Sequence, residues 1–474
     1  MRLYLFQDNA ILNTDSYKMS QYLQYPPGTQ FVSSYIEARK SEEVELMFFG
    51  LQRELKRLND QFITQEQIDF SEKFLAHHVP NCPFNRQGWE DLLELGYWPL
   101  EVRALPEGCT VKPGVPMVEI INTDHRFFWL VSYLETRLLR AAWLGVSAAT
   151  RTRRFKKLLL EMAINTGSPV EGIDFQFVGF GSRGGSCEEA VRVAGGALLT
   201  GFKSTDDQVA ILDILQYYTE DQDLSRMPGF AIPASEHSTV TPWWNRSGEH
   251  RSLGNMFAQF PTGPLAWVSD SFDVVKCVEE YWGELYKDII LSRDGVAIIR
   301  PDSGDPVAVL RKLLRIVGEK FGYTTNAKGF KVLNEKVRLI QGDSITEVMI
   351  RKIYAMLLEE KWASENISYG CGGHIIQAYN RDDHGFAMKC SAICIHGIWF
   401  DVFKEPITAP FKKSKKGRQS AVYDKDGDIV ALSYEGKPPE NSAMQLVYQD
   451  GKFLVDHTIE EIRERVNHSI GITA

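Results

Sequence analysis

The stretch Val296–Gly304, VAIIRPDSG, sets four apolar residues in a row and then an arginine, a proline, an aspartate, a serine and a glycine. A short apolar run that stops at turn-forming residues reads as a buried strand with a polar end. Five further segments repeat the pattern: DFQFVGFGSRGG from Asp174, GFAIPASEHS from Gly229, LAWVSDSFD from Leu265, VRLIQGDS from Val337 and ISYGCGG from Ile367. A shorter candidate, LLTGFKSTDD, begins at Leu198. Helical patterns such as Pro306–Glu319 and Ile345–Lys361 lie between them. Strand-then-helix units of this kind predict an α/β fold with a parallel sheet. The polar cluster always follows the apolar run, at the strand's C-terminal end, where barrels and open α/β sheets both place their active sites. So many polar strand ends favour a (β/α) barrel.

Working outward, residues 42–98 read as helices, residues 99–121 as short strands around Gly108 and Gly114, and Arg126–Leu144 as a buried helix. The tail carries hairpin signals at Asp426-Gly427 and Asp450-Gly451. It is expected to pair with the early strands. The expected organisation is therefore a discontinuous outer α+β domain, residues 1–146 plus 396–474, around a catalytic α/β barrel, residues 147–395.

The chain has 474 residues, more than one ordinary core needs, and a net charge of 53 − 62 = −9. That balance disfavours nucleic acid as a partner but permits a local basic pocket. Seven scattered cysteines form no C-x-x-C pair, which fits a reduced, cytoplasmic protein. The beginning turns polar too early for a signal peptide, and no apolar run is long enough to span a membrane.

The strand ends carry the chemistry. Arg300 and Asp302 flank a proline just after a buried run, and Asp270 in VSDSFD is similarly placed. Structural ion pairing would explain such charges; so would a site in which Asp270 and Asp302 hold magnesium shared with substrate phosphates, since that cation prefers oxygen ligands. Gly342-Asp343 and Gly372-Gly373 end the last two expected strands. They read either as plain turns or as loops whose backbone N–H groups hold phosphate. His237 in PASEHST follows a strand beside Glu236 and Ser238, which moves it from a structural histidine toward a chemical one. The string GFGSRG, Gly179–Gly184, matches a dinucleotide fingerprint by letter, with Asp206 following it. Its depth in the chain and Arg183 inside the turn argue against that use. A late basic cluster runs from Arg381 and Lys389 through Lys404 and Lys412 to Arg418, and reads as a solvated face or a polyphosphate site. The run Arg151–Lys157 reads as the exposed face of a helix.

In order and over nearly the whole chain, these strings resemble the nicotinamide phosphoribosyltransferase family. NTDSYKMSQYLQYPPGT, YIEAR, WLVSYLETRLL, GFGSRG, GFKSTD, PASEHST, IIRPDSG, QGDS, GCGG and KKSKKGR carry the resemblance. It implies the type II phosphoribosyltransferase fold, an α/β barrel with an outer α+β domain built from both chain ends. It implies transfer of the phosphoribosyl group of 5-phosphoribosyl 1-pyrophosphate to nicotinamide, giving nicotinamide mononucleotide and pyrophosphate. A nicotinate-specific relative and a non-enzymatic binding protein on the same scaffold are the alternatives.

The resemblance further implies a homodimer with shared sites. In it Phe180 and the other subunit's Tyr17, with Asp15 nearby, sandwich the ring, and Asp206 accepts from the carboxamide. Arg183 lies near ring and phosphates, and Arg300 and Asp302 hold the ribose. Gly342, Asp343, Gly372 and Gly373 line the 5′-phosphate site. Arg39, Arg381, Lys389, Lys404 and Lys412 hold phosphate groups. His237 resembles a histidine phosphorylated by ATP. Ser182 stands where the vertebrate-like pattern has tyrosine, and Ala387 where a serine would help bind phosphate.

Overall fold

A computed structural model describes residues 9–408 and 413–472. It divides into two compact units: 1–150 with 216–221 and 379–474, and 151–215 with 222–378. The sequence reading places the boundaries at 146 and 396 instead. The difference has a definite cause. Strand Phe386–Ile395 pairs antiparallel with Thr29–Ala38 along its length, so it belongs to the first unit's sheet.

That sheet has seven strands, in the order Ile398–Asp401, Phe386–Ile395, Thr29–Ala38, Pro116–Asn122, Leu100–Ala104, Gln445–Gln449, Lys452–Phe453. Early and late segments interleave. Pro116–Asn122 is buried at every position, and its Glu119 is tolerated there because Arg418, Tyr434 and Ser33 all donate to its carboxylate. Trp89 and Trp129 meet edge-on with centroids 4.8 Å apart. The Trp98 indole N–H is satisfied by the Leu58 carbonyl at 2.9 Å. Each such ring contributes about 2–3 kcal/mol through apolar burial. Both Asp-Gly hairpins form: Arg418–Tyr423 pairs with Ile429–Tyr434, and Gln445–Gln449 with Lys452–Phe453.

The second unit is built on a curled six-stranded parallel sheet, in the order Ser204–Thr205, Phe177–Gly179, Ile367–Cys371, Val337–Gln341, Ala297–Arg300, Leu265–Val268. The helices after the strands start where the sequence caps them. Asp305 accepts from the Ala308 N–H at 2.8 Å ahead of Pro306–Phe321, and Thr346 from the Met349 N–H at 3.2 Å ahead of Glu347–Glu360. The segment GFAIPASEHS forms no regular strand. Pro233 lacks a donor, and the segment makes only single parallel bridges, Phe230 to Ser204 and Ala234 to Ala266.

The helix read as Arg126–Leu144 is Glu135–Thr166, with the short helix Leu130–Tyr133 before it. Its basic run is not an exposed face. Only Lys157 is exposed; Lys156 is buried against Asp174 at 2.8 Å, and Arg154 pairs with Glu347. All seven cysteines are free, and among the described residues no helix is long and apolar enough to cross a membrane.

Candidate active site

In the second unit the polar strand ends converge. Asp302 and Asp270 lie after neighbouring strands, Ala297–Arg300 and Leu265–Val268. Asp270 Oδ2 accepts from the Asp302 N–H at 3.0 Å and from the Ser303 hydroxyl. Its Oδ1 is buried and has no hydrogen-bond partner. Arg300 Nη2 reaches Asp302 Oδ2 at 3.6 Å, and its Nη1 donates to the Ser235 carbonyl at 3.4 Å.

His237 opens the short helix His237–Val240. Its Nδ1 shares a hydrogen bond with the Ser271 hydroxyl at 3.0 Å. Its Nε2 faces Asp270 Oδ1 at 3.5 Å and Asp302 Oδ2 at 3.8 Å. Beneath them, burial and then the charge of Asp270 push the Glu249 carboxyl up to about 7, against the pull of Arg246.

A hard cation fits this corner. An orphaned buried carboxylate oxygen faces His237 beside a second carboxylate, and that donor set is oxygen-rich. Among the described residues no group of three or more His, Cys, Asp or Glu is placed to hold a metal. Substrate oxygens would have to complete its shell.

Phe180 follows strand Phe177–Gly179, and its N–H donates to the Cys371 carbonyl at 3.2 Å. Its ring lies across two glycines of neighbouring strands. A Cβ on Gly370 would stand 1.8 Å from Phe180 Cε1, and one on Gly342 would meet Phe180 Cζ at 3.1 Å and Asp302 Oδ1 at 3.5 Å. The aromatic ring and the Arg300–Asp302 pair thus border one space. The turn after Phe180 presses on the last glycine loop: a Cβ on Gly181 would lie 2.7 Å from the Gly372 carbonyl oxygen, and one on Gly184 3.2 Å from Gly373 Cα. Arg183 on that turn is exposed.

Asp206 keeps solvent access, yet crowding by surrounding atoms pushes its carboxyl above the usual range. The charge of Asp207 adds to this and that of Arg300 opposes it. Asp343 is exposed and accepts from the Ser344 hydroxyl at 2.8 Å. The backbone at Ser344 is left-handed, with φ +57°.

Asp15, Tyr17, Arg39, Arg381, Lys389 and Lys404 lie in the first unit. Lys389 is 3.6 Å from Glu135, which also pairs with Lys18. Burial pushes the Lys389 ammonium below its ordinary value, Glu135 opposes this, and Arg39 and Lys404 add to it. Arg39 and Lys404 thus both bear on Lys389. Arg381 pairs with Asp382 at 2.9 Å. Tyr17 is 63% exposed, so its ring is free to meet another surface. Asp15 accepts from the Thr136 hydroxyl at 2.6 Å. Lys412 lies outside the described residues.

Sequence reasoning missed Gly370, Asp207 and Ser271. Gly370 sits two residues before the glycine pair that drew attention, and Asp207 beside the aspartate that did. No local signal separated Asp207 from Asp206, because the strand Ser204–Thr205 ends before both.

A curled parallel sheet with a cation, two carboxylates, a histidine and an aromatic ring at its strand ends has the layout of an α/β transferase acting on a charged, ring-bearing substrate. The profile of the nicotinate phosphoribosyltransferase (NAPRTase) family matches residues 175–452, and that of the nicotinamide phosphoribosyltransferase N-terminal domain matches residues 9–102. The chain is 38% identical to a nicotinamide phosphoribosyltransferase of Xanthomonas campestris pv. campestris, over 97% of this chain and 98% of that one. It is 31% identical to one of Acinetobacter baylyi, over 97% of both. In fold it is similar to a crystal structure of nicotinate-nucleotide pyrophosphorylase from Pyrococcus furiosus, with a TM-score of 0.62, 16% identity and full coverage of both chains. The chain belongs to the nicotinamide phosphoribosyltransferase family.

Proposed function

We propose that the protein is a cytoplasmic enzyme of NAD salvage that transfers the phosphoribosyl group of 5-phosphoribosyl 1-pyrophosphate to nicotinamide, releasing pyrophosphate. The observation that carries this is the shared space bordered by the Phe180 ring and the Arg300–Asp302 pair. It offers a stacking face for a flat base beside polar groups for a ribose. The names of the relatives at 38% and 31% identity supply the base. The scaffold of this reading is a type II barrel, supported by the single bridges that join Phe230 to Ser204 and Ala234 to Ala266.

Breaking the bond from ribose C1 to pyrophosphate develops positive charge on the sugar and negative charge on the leaving group. Phe180 holds the ring, Asp206 accepts from the carboxamide NH₂, and Arg300 and Asp302 hold the ribose. The ring nitrogen is thereby aimed at C1. That nitrogen carries no proton, so no general base is needed. The glycine loops at Gly342-Asp343 and Gly372-Gly373 bring backbone N–H groups to the 5′-phosphate. Magnesium, held through Asp270 and Asp302, would neutralise charge on the departing pyrophosphate. In a homodimer, Asp15, Tyr17 and the Arg39, Arg381, Lys389, Lys404 and Lys412 cations of one copy would complete the site of the other.

The test is direct. Protein, magnesium and phosphoribosyl pyrophosphate are mixed with nicotinamide or with nicotinate, and the mononucleotide is identified. Nicotinamide mononucleotide as the main product supports the proposal. Nicotinate mononucleotide instead makes the protein a nicotinate enzyme, and no product from either base leaves a binding protein.

ATP stimulation belongs to the same reading, with His237 as phosphate acceptor. Its Nδ1 bond to Ser271 fixes the ring and turns Nε2 toward the carboxylate corner. His237→Ala should abolish ATPase activity and ATP stimulation together, while slow ATP-independent synthesis survives at high substrate. An alanine variant still stimulated to the wild-type extent would refute this role.

A further inference from the structure

Asp207 follows Asp206 at the end of strand Ser204–Thr205 and is 1% exposed. Its Oδ1 accepts two hydrogen bonds from one residue, the Ser182 N–H at 2.9 Å and the Ser182 hydroxyl at 2.6 Å. Its Oδ2 is buried with no hydrogen-bond partner. Two glycines make room for that oxygen: a Cβ on Gly179 would meet it at 3.4 Å, and one on Gly195 at 3.7 Å.

The rest of the strand end joins the same network. The Asp206 N–H donates to the Gly179 carbonyl at 2.7 Å. Thr205 Oγ1 donates to that carbonyl at 3.2 Å and accepts from the Asp207 N–H at 3.0 Å. A carboxylate buried with half its capacity unused costs stability. Its place is explained by what it holds, which is the turn carrying Phe180 and Arg183.

We propose that Asp207 is a positioning and specificity-determining residue for the base: through Ser182 it fixes the turn that presents Phe180 and Arg183, and its negative charge beside Asp206 tunes how Asp206 accepts from a carboxamide. This rests on the reading of Phe180 and Asp206 as the base-holding pair. The charged groups acting on the Asp206 carboxyl are Asp207, which pushes it up, and Arg300, which pulls it down. Ser182 supplies the hydroxyl that makes the second bond.

Three variants separate the two roles. Ser182→Ala, at an exposed position, removes the hydroxyl bond, and Asp207→Ala removes both bonds. Each should raise the nicotinamide KM, by about tenfold for the loss of charge-assisted bonds in Asp207→Ala. The KM for phosphoribosyl pyrophosphate should stay put. Asp207→Asn keeps an acceptor for Ser182 and removes the charge. The acid limb of kcat/KM for nicotinamide should then move to lower pH, because Asp206 stays ionised further into acid. A purely structural role would leave that limb where it is.

A carbon-13 NMR titration of the Asp206 carboxyl needs no turnover, and its midpoint should fall in Asp207→Asn. An unmoved Asp206 midpoint, or a nicotinamide KM unchanged in Ser182→Ala, overturns the proposal. Wild-type protein that makes no mononucleotide overturns the functional reading instead, and the NMR titration still decides the role of Asp207.

Discussion

Gly370 has the tightest steric position around the Phe180 ring. A methyl group there would occupy space 1.8 Å from Phe180 Cε1 and 2.0 Å from Cζ, so the ring would have to swing off the strand ends. Gly370→Ala should therefore fold and raise the nicotinamide KM roughly three- to tenfold, the worth of a well-placed aromatic contact. Steady-state kinetics with each substrate varied in turn checks this. An unchanged nicotinamide KM would mean that the ring does not bear on the base. At this scale the sequence pointed to Arg300, Asp302 and Asp270, because a charge just after an apolar run is conspicuous. His237 stood out for following a strand that its segment does not form. It hid Ser182–Asp207 and Gly370–Phe180, because both are contacts between separate strand ends and leave no local pattern. The order in which strands neighbour one another had to be known first.

Among the elements, the helix Glu135–Thr166 departs furthest from its reading. The basic run Arg151–Lys157 suggests solvent, yet Lys156 is buried with its ammonium on Asp174. Asp174 also draws Lys203 to 3.3 Å, so removing it breaks two ion pairs at once. Asp174→Ala should lower unfolding stability by about 2–3 kcal/mol, measured by urea denaturation at neutral pH, and a loss below about 1 kcal/mol would show that these two ion pairs carry little of the stability.

The same helix reaches the last glycine loop, where Arg151 donates to the His374 carbonyl at 2.8 Å. Burial first, then the charges of Arg151 and Arg154, push the His374 imidazole down to about 4, with Glu347 opposing. The unfolded chain therefore binds a proton that the folded one refuses. Stability is intact above the ordinary histidine value of about 6.5 and falls as pH drops from there toward about 4. Thermal melts should show His374→Asn losing less Tm than wild type between those limits. The Asp-Gly hairpins were legible because the dipeptide itself demands left-handed backbone, φ +48° at Asp450 and +81° at Gly451. GFAIPASEHS was misread as a strand because its apolar letters outweighed Pro233.

For the whole molecule, the proposed sharing of sites between two copies makes a prediction that no single chain can meet. Tyr17→Ala and Phe180→Ala proteins, each inactive alone, should regain part of the activity when mixed, since exchange creates one site free of both defects. No recovery, with exchange demonstrated by mass-tagged subunits, would make each site self-contained. The domain plan was legible in outline from where the strand-helix alternation starts and stops. Its edges were not, because Phe386–Ile395 looks like any apolar strand until its partner Thr29–Ala38 is known. That pairing bears on how the protein is made. A ribosome delivers Thr29–Ala38 well before Phe386–Ile395, so one edge of a central strand waits, bare, while the second unit is made. The second unit's strands all emerge in the interval and can assemble meanwhile. A chain cut short between Cys371 and Phe386 would carry all the strands of the catalytic sheet while its other sheet still offers an open edge. Such an edge is a template for pairing with other chains, so the interleaved sheet leaves a truncated product open to aggregation.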